Sequence, residues 1–266
     1  QVDEMTDKLG YQVLQMPLNI LNMSFPNPYF DSIQNDDQVT SFSKTKFANS
    51  IGKKGLAHLF EDVTQYPFKY KKEILKTYGR VFSSDKIGAF SSKIKSICDG
   101  VESSEGISLI YSEKIYSGVI PMALALEEMG FTRHSHKNLL NNKKTKGLSY
   151  GLITGNQMYS PHNKKEIEAC INENNVDGSK VKVIIISRAG SEGIDLKYIR
   201  NVHIMEPWYN MNRIEQVFGR AIRNKSHIAL PIQKRNCCLH MYGTLLASGE
   251  ESVDLYIYRL AEDKAL

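Results

Sequence analysis

The sequence predicts an α/β protein, a doubly wound and mostly parallel sheet preceded by a mixed or helical N-terminal extension. Three observations predict it. From about residue 106 short β-rich runs alternate with helical patterns, as βαβ units require. The run VKVIIIS at 181–187 is almost continuously apolar and β-branched, the composition of a strand buried on both faces of a parallel sheet. The first hundred residues show no such alternation.

Taken in order, GISLIYS (106–112) is the first strand, and IYSGVIPMALALEEMGF (115–131) is an apolar helical run. YGLITG (150–155) is a second strand, followed by a polar helix over HNKKEIEACINEN (162–174), whose apolar residues keep helical spacing. VKVIIIS and NVHIME (201–206) are the next strands, and a helix rich in arginine follows. CCLHMYGTLL (237–246) and ESVDLYIYRLAEDKA (251–265) close the series as strand and helix. The earlier part holds FPNPYF, a Ser/Thr/Lys-rich stretch near 41–54 and the basic-aromatic run YPFKYKKEILKTYGR (66–80), read as packing. Residues 1–90 are therefore assigned to an extension and 91–266 to the sheet domain. The stretch HSHKNLLNNKKTKG (134–147) is read as a basic surface loop.

Composition narrows the classes further. The chain has 266 residues, 41% of them hydrophobic, which suffices for a sizeable core. Lys and Arg outnumber Asp and Glu by 34 to 29, so the charge of +5 favours a polyanionic partner only weakly. Cys98, Cys170, Cys237 and Cys238 form no CxxC pair and have no paired histidines at zinc spacing, so no metal site is expected and the thiols are read as free. No apolar run approaches the ~18 to 20 residues a membrane helix needs. The chain begins with QVDEMTDKLG, without a methionine, and is read as a fragment whose upstream part is missing.

In a doubly wound sheet, ligands bind where loops leave the carboxyl ends of the strands. Two such loops stand out. SRAGSEGIDL (187–196) carries Gly190 and Gly193, which allow close backbone approach or positive φ. Its Ser187, Arg188 and amides could hold phosphates, and Asp195 could accept from a hydroxyl, although a strand-to-helix turn alone also needs glycines. EPWYNMN (206–212) carries Trp208, the single tryptophan, read as a packing residue. It leads into RIEQVFGRAIR (213–223), where Arg213, Gln216, Arg220 and Arg223 fall within a stripe roughly 80° wide at about 100° per residue. Ile214, Val217, Ala221 and Ile222 fall beside it. A donor-only stripe beside two ligand-edge loops points to an anion.

These residues carry a resemblance. SRAGSEGIDL followed by RIEQVFGRAIR, with its QxxGRxxR pattern, resembles motifs V and VI of superfamily 2 helicases and translocases, the SRAG form being similar to the Snf2 branch. The phrases GISLIYS, ALALEEMGF, EPWYNMNRIEQVFGRAIRN, YGTLL and DLYIYRLAEDKA resemble helicase-like proteins of large nucleocytoplasmic DNA viruses, the poxvirus and African swine fever virus group. The likeness covers about residues 85–265. It implies the second, C-terminal RecA-like lobe of a two-lobe motor. By the same resemblance Arg220 and Arg223, ordered with Gln216, face ATP as arginine fingers, and Gly193 and Asp195 touch the nucleotide. Ser187, Arg188, Tyr111, Ser112, Thr154 and Gly155 lie where the family meets the nucleic-acid backbone.

The implied cofactors are ATP and Mg2+, bound mainly by the missing N-terminal RecA-like lobe. The implied partners are nucleic acid, DNA in preference to RNA, that lobe, and viral transcription subunits, in the host cytoplasm and the virion. No membrane is implied. A GxxxxGK[ST] phosphate loop is missing, since IGKKGLAH (51–58) has no Ser/Thr after its lysines and no strand before it, and VDEM (2–5) lacks the strand that would present a DExx box. The expectation is an arginine finger without a phosphate cradle, unable to hydrolyse ATP alone. The competing readings are a non-catalytic helicase-like scaffold and a small-molecule enzyme, for which the seven scattered histidines supply no constellation.

Overall fold

The computed structural model describes residues 13–32, 47–140, 147–191 and 193–265. Six strands, β1 (Ile107–Tyr111), β2 (Thr132–Arg133), β3 (Ser149–Ile153), β4 (Val181–Ile186), β5 (Ile199–Ile204) and β6 (Cys238–Met241), form one sheet in the order β2-β3-β4-β1-β5-β6. Each neighbouring pair runs parallel. The two-residue β2 is too short to leave a sequence pattern, and it sits at the edge. The other five strands lie where the β-rich runs predict them.

The β-branched run of β4 serves two cores at once. Val183 and Ile185 belong to one buried cluster and Ile184 and Ile186 to the other, because successive side chains point to opposite faces, while Val181 joins the second cluster where the pairing register with β3 shifts. Helices Asn163–Cys170 and Met211–Ala221 cover the second face, contributing Cys170 and Ile214, Val217 and Ala221. Helices Ser92–Ser103 and Ile120–Glu128 cover the first. Every residue from Ile120 to Glu127 is buried. A helix apolar all round needs cover on both sides, and the N-terminal extension supplies the outer layer.

That extension contains helical residues 13–22 and the short helices Pro28–Asp31, Gly52–Leu59, Lys72–Thr77 and Ile87–Phe90. Its Met23, Phe25, Leu56, Leu59, Phe60 and Phe82 join the same core cluster as Val119 to Leu126. The aromatic run packs as read, with Phe60 meeting Tyr70 at 4.6 Å between ring centroids. Within IGKKGLAH, a Cβ on Gly55 would collide with the Phe25 ring, so this glycine serves helix packing.

The basic loop is partly a core element. Leu139 and Leu140 are buried, and their amides donate to the Glu127 carboxylate at 2.8 and 2.7 Å, which also accepts from the Tyr150 hydroxyl at 2.6 Å. Burial pushes the Glu127 carboxyl up to about 7 against these donors. The surface reading therefore fails for Leu139 and Leu140, because a buried acceptor captures the backbone. Residues 141–146 lie outside the described residues, as does VDEM. Among the described residues no helix is long and apolar enough to cross a membrane.

Candidate functional site

Strand register builds the site. Tyr111 pairs with Ile186 on one side and Ile204 on the other, and Ile153 pairs with Ile186. Four adjacent strands therefore end in one line, and the hydrogen bonds continue one residue beyond it. The amide of Ser187 donates to Ile153 at 3.1 Å, that of Ser112 to Ile186 at 3.2 Å, and that of Met205 to Tyr111 at 3.0 Å. The loops after β1, β3, β4 and β5 emerge side by side at the carboxyl edge.

Between them lies a cleft of about 430 Å³, lined by Glu113, Ile115, Gly155, Asn156, Ser187, Arg188 and Ala189. Its walls approach too closely for side chains. A Cβ on Gly190 would strike the carbonyl of Ile153, and one on Gly155 would strike the Ala189 methyl. Gly190 is thus needed for close approach, and it donates its amide to Ser187 Oγ at 3.3 Å.

The sequence-assigned cleft residues divide into two kinds. Arg188 and Gly155 are exposed. Tyr111, Ser112, Thr154 and Ser187 are buried, at 3%, 0%, 0% and 3% exposure. Thr154 Oγ1 meets Ser160 Oγ at 2.5 Å and accepts from the Asn156 amide at 3.1 Å, closing its own loop. Burial, reinforced by Glu113 and Glu206, raises the Tyr111 phenol well above its usual range, so it stays protonated. The exposed members of the assigned set are Arg188 and Gly155.

Ser112 leads to a group that sequence reasoning missed. Its hydroxyl donates to both oxygens of Glu206, at 3.0 and 2.9 Å, and Glu206 also accepts from the Glu113 amide and, at 2.7 Å, from Asn22 Nδ2. Asn22 Oδ1 in turn accepts from Lys93 Nζ at 3.2 Å. Lys93 pairs with Asp254 at 2.8 Å, their side chains 2% and 0% exposed. Burial works to raise the Asp254 carboxyl, and the Lys93 ammonium together with hydrogen bonds from Lys93, Ser252 and Thr244 outweighs it, so it lies below the usual carboxylate range. This buried polar chain runs from the extension to the C-terminal helix Val253–Asp263 beneath the β1 and β5 loops. In the sequence the only signal was charge inside amphipathic helices.

The arginine helix spans Met211–Ala221, capped by Asn210, whose side chain accepts from the Asn212 amide at 2.8 Å. It ends before Ile222, which is 45% exposed, so the predicted apolar flank is one residue shorter than read. Arg213 keeps its helical position in the stripe, but its side chain is engaged. It pairs with Glu113 across the β1 loop, and its guanidinium lies 3.5 Å from the centre of the Trp208 ring. Trp208 packs near Leu18 and Ile257, as its packing assignment anticipates. Burial is the main influence on Glu113, raising its carboxyl, with Arg213 opposing it.

Gln216, Arg220 and Arg223 remain toward solvent, with Gln216 exposed. Arg220 Nη1 donates to the Ile194 carbonyl at 3.3 Å. Arg223, beyond the helix end, donates to the Gly219 carbonyl at 3.2 Å and lies 3.4 Å from Asp195, both partners about half exposed. Gly193, at φ +71°, turns the chain between the two ends of its loop. The structure thus brings Asp195, Arg220 and Arg223 together, with Gly193 in the same loop. Among the described residues no group of three or more His, Cys, Asp or Glu is arranged to hold a metal ion.

The comparisons agree with this architecture. The helicase conserved C-terminal domain family matches residues 93–225. A protein of Acanthamoeba polyphaga mimivirus named as an ATP-dependent RNA helicase is 30% identical over 200 residues, covering 74% of this chain and 40% of that protein. The termination factor NPH-I homolog of African swine fever virus is 29% identical over 181 residues, covering 57% and 26%. Nucleoside triphosphatase I of Melanoplus sanguinipes entomopoxvirus is 29% identical over 247 residues, covering 91% and 29%. The chain thus spans between 26 and 40% of the length of these relatives. With its parallel RecA-like sheet and its arginine helix, the chain belongs to the helicase conserved C-terminal domain family, among helicase-like proteins of large DNA viruses.

Proposed function

We propose that this chain is the C-terminal lobe of a nucleic-acid-dependent ATPase of superfamily 2. In this reading the cleft holds nucleic-acid backbone, and the arginine face meets ATP held mainly by a preceding RecA-like lobe. One observation carries the reading. The loop 187–196 lines the cleft with its first residues and meets Arg220 and Arg223 with its last, so a single segment serves both ligands.

The residues present fit half of the nucleotide requirement. Among the described residues Arg220 and Arg223 are held by carbonyls and a half-exposed carboxylate, so they can turn toward a polyphosphate with little loss. In the same reading Mg2+ accompanies ATP on the preceding lobe. When bound, ATP supplies a transferable γ-phosphoryl group. The part of this chain is to present rigid, always-charged donors where negative charge develops, an effect of ~10³ to 10⁵ in rate in well-studied triphosphatases. Gln216, one turn before Arg220, orders that face. At the cleft, Arg188 and the Gly155 main chain hold phosphates without reading bases, so binding is salt-sensitive and independent of sequence.

The names of the relatives, a termination factor and a nucleoside triphosphatase, support a setting in viral transcription or genome handling, and the proposed location is the host cytoplasm or virion. DNA is the proposed substrate, although three mimivirus relatives are named for RNA. The test is the ATPase rate of the full-length polypeptide with and without single-stranded DNA, duplex DNA and RNA. Stimulation by a nucleic acid is expected, and the isolated chain is expected to be inactive. Absence of turnover in every condition would replace the motor by a scaffold subunit of a viral transcription complex.

A further inference from the structure

We propose that Glu113 and Arg213 are positioning residues that carry occupancy of the cleft to the arginine helix. The inference rests on the reading of the cleft and arginine face given above.

The pair joins the two sites through side chains. Glu113 lines the cleft beside Arg188, and its carboxylate holds Arg213, in the first turn of the arginine helix. The side chains are 11% and 21% exposed, so water screens the pair poorly. Both ends are braced. The Glu113 amide donates to buried Glu206, which also fixes Ser112, and the Arg213 guanidinium sits over the Trp208 ring. A shift of the Glu113 side chain is therefore transmitted to Arg213, and through a short, well-capped helix to Arg220 two turns on.

The lever is charge. A phosphate seated by Arg188 brings a negative group to the cavity that the Glu113 carboxylate lines. The two anions repel, and the phosphate competes for Arg213. Cleft occupancy thus loosens the pair that sets the start of the helix, whereas an empty cleft leaves it closed.

The experiment uses the full-length polypeptide with single-stranded oligothymidylate. It reads the dissociation constant at several salt concentrations and the ratio of stimulated to basal ATP turnover. Glu113→Gln removes the like charge in a near-isosteric side chain. It is expected to tighten oligonucleotide binding about fivefold, the size of one partly screened repulsion, and to abolish most of the stimulation. Arg213→Gln removes the carboxylate's ion-pair partner and is expected to weaken binding while also abolishing stimulation. The double variant is expected to lose no more stimulation than either single one, because both break the same contact. Arg213→Lys, which keeps the charge, is expected to retain part of it.

Thermal melting shows whether each variant is folded, and Glu113→Gln alone decides the matter where Arg213→Gln is not. A purely structural role would lower stability without tightening binding. Stimulation retained in folded Glu113→Gln, or losses that multiply in the double variant, would overturn the link and leave the proposed function standing. A wild type that nucleic acid does not stimulate would overturn both.

Discussion

The two ends of the loop 187–196 are built differently. At its start, the cleft residues Ser187, Thr154 and Ser112 are buried, and their hydroxyls are spent within their own loops or on Glu206. At its end, Asp195 and Arg223 are about half exposed and meet at 3.4 Å, a contact that costs little to break. The first region is prearranged by the fold and the second is held loosely. Prearranged loops suit a ligand gripped through its backbone, and loosely held guanidinium groups suit one delivered by another lobe.

This contrast can be broken at its strongest point first. Lys93 and Asp254 lie at the base of the prearranged region, and Lys93→Ala leaves a buried carboxylate without its cation. The expected loss of unfolding free energy is about 3 to 5 kcal/mol, read as a lower denaturant midpoint. Replacing both partners by apolar residues of similar volume is expected to recover most of it. A small loss for Lys93→Ala alone would mean that the chain of polar groups under the loops is not what holds them.

Gly190→Ala probes the same region more locally. The new methyl strikes the Ile153 carbonyl, a backbone atom that cannot rotate away. The expected cost is about 1 to 3 kcal/mol, together with weaker nucleic-acid binding as the loops after β3 and β4 part. Unchanged melting and binding would show that the close approach is not required.

The smallest stability effect belongs to the other region. Arg223→Gln removes a half-exposed pair, so its effect on unfolding is expected to stay within about 0.5 kcal/mol. Its ATP turnover in the full-length polypeptide is nevertheless expected to fall severely. A change that harms stability and turnover in proportion would erase the difference between the regions.

How far the sequence reveals this arrangement depends on the range of the interactions. The strands from β1 and β3 to β6 and the helices between them are written in local periodicity, so they are legible without the fold. The arginine helix is legible for the same reason, apart from its end, where Ile222 turns outward after Ala221. Partners far apart in the chain are not. Asn22 reaches Glu206 across 184 positions, and Arg213 reaches Glu113 across 100. Periodicity places Arg213 in the stripe, and only tertiary structure shows that a carboxylate and an indole have claimed it. The same limit hid the burial of Leu139 and Leu140, since the Glu127 carboxylate that captures their amides lies on another element. Residue type identified Ser112 and Thr154 as polar groups at strand ends, and burial shows that their hydroxyls face inward.

The most direct test of the central claim is the nucleic-acid-stimulated ATP turnover of the full-length polypeptide with Arg220 or with Arg220→Lys, measured beside ATP affinity. Lysine keeps the positive charge and loses the planar fork. The account predicts a turnover lower by about 10³-fold with ATP binding changed only a few-fold. Unchanged turnover would contradict it, because the arginine face would then have no part in the reaction.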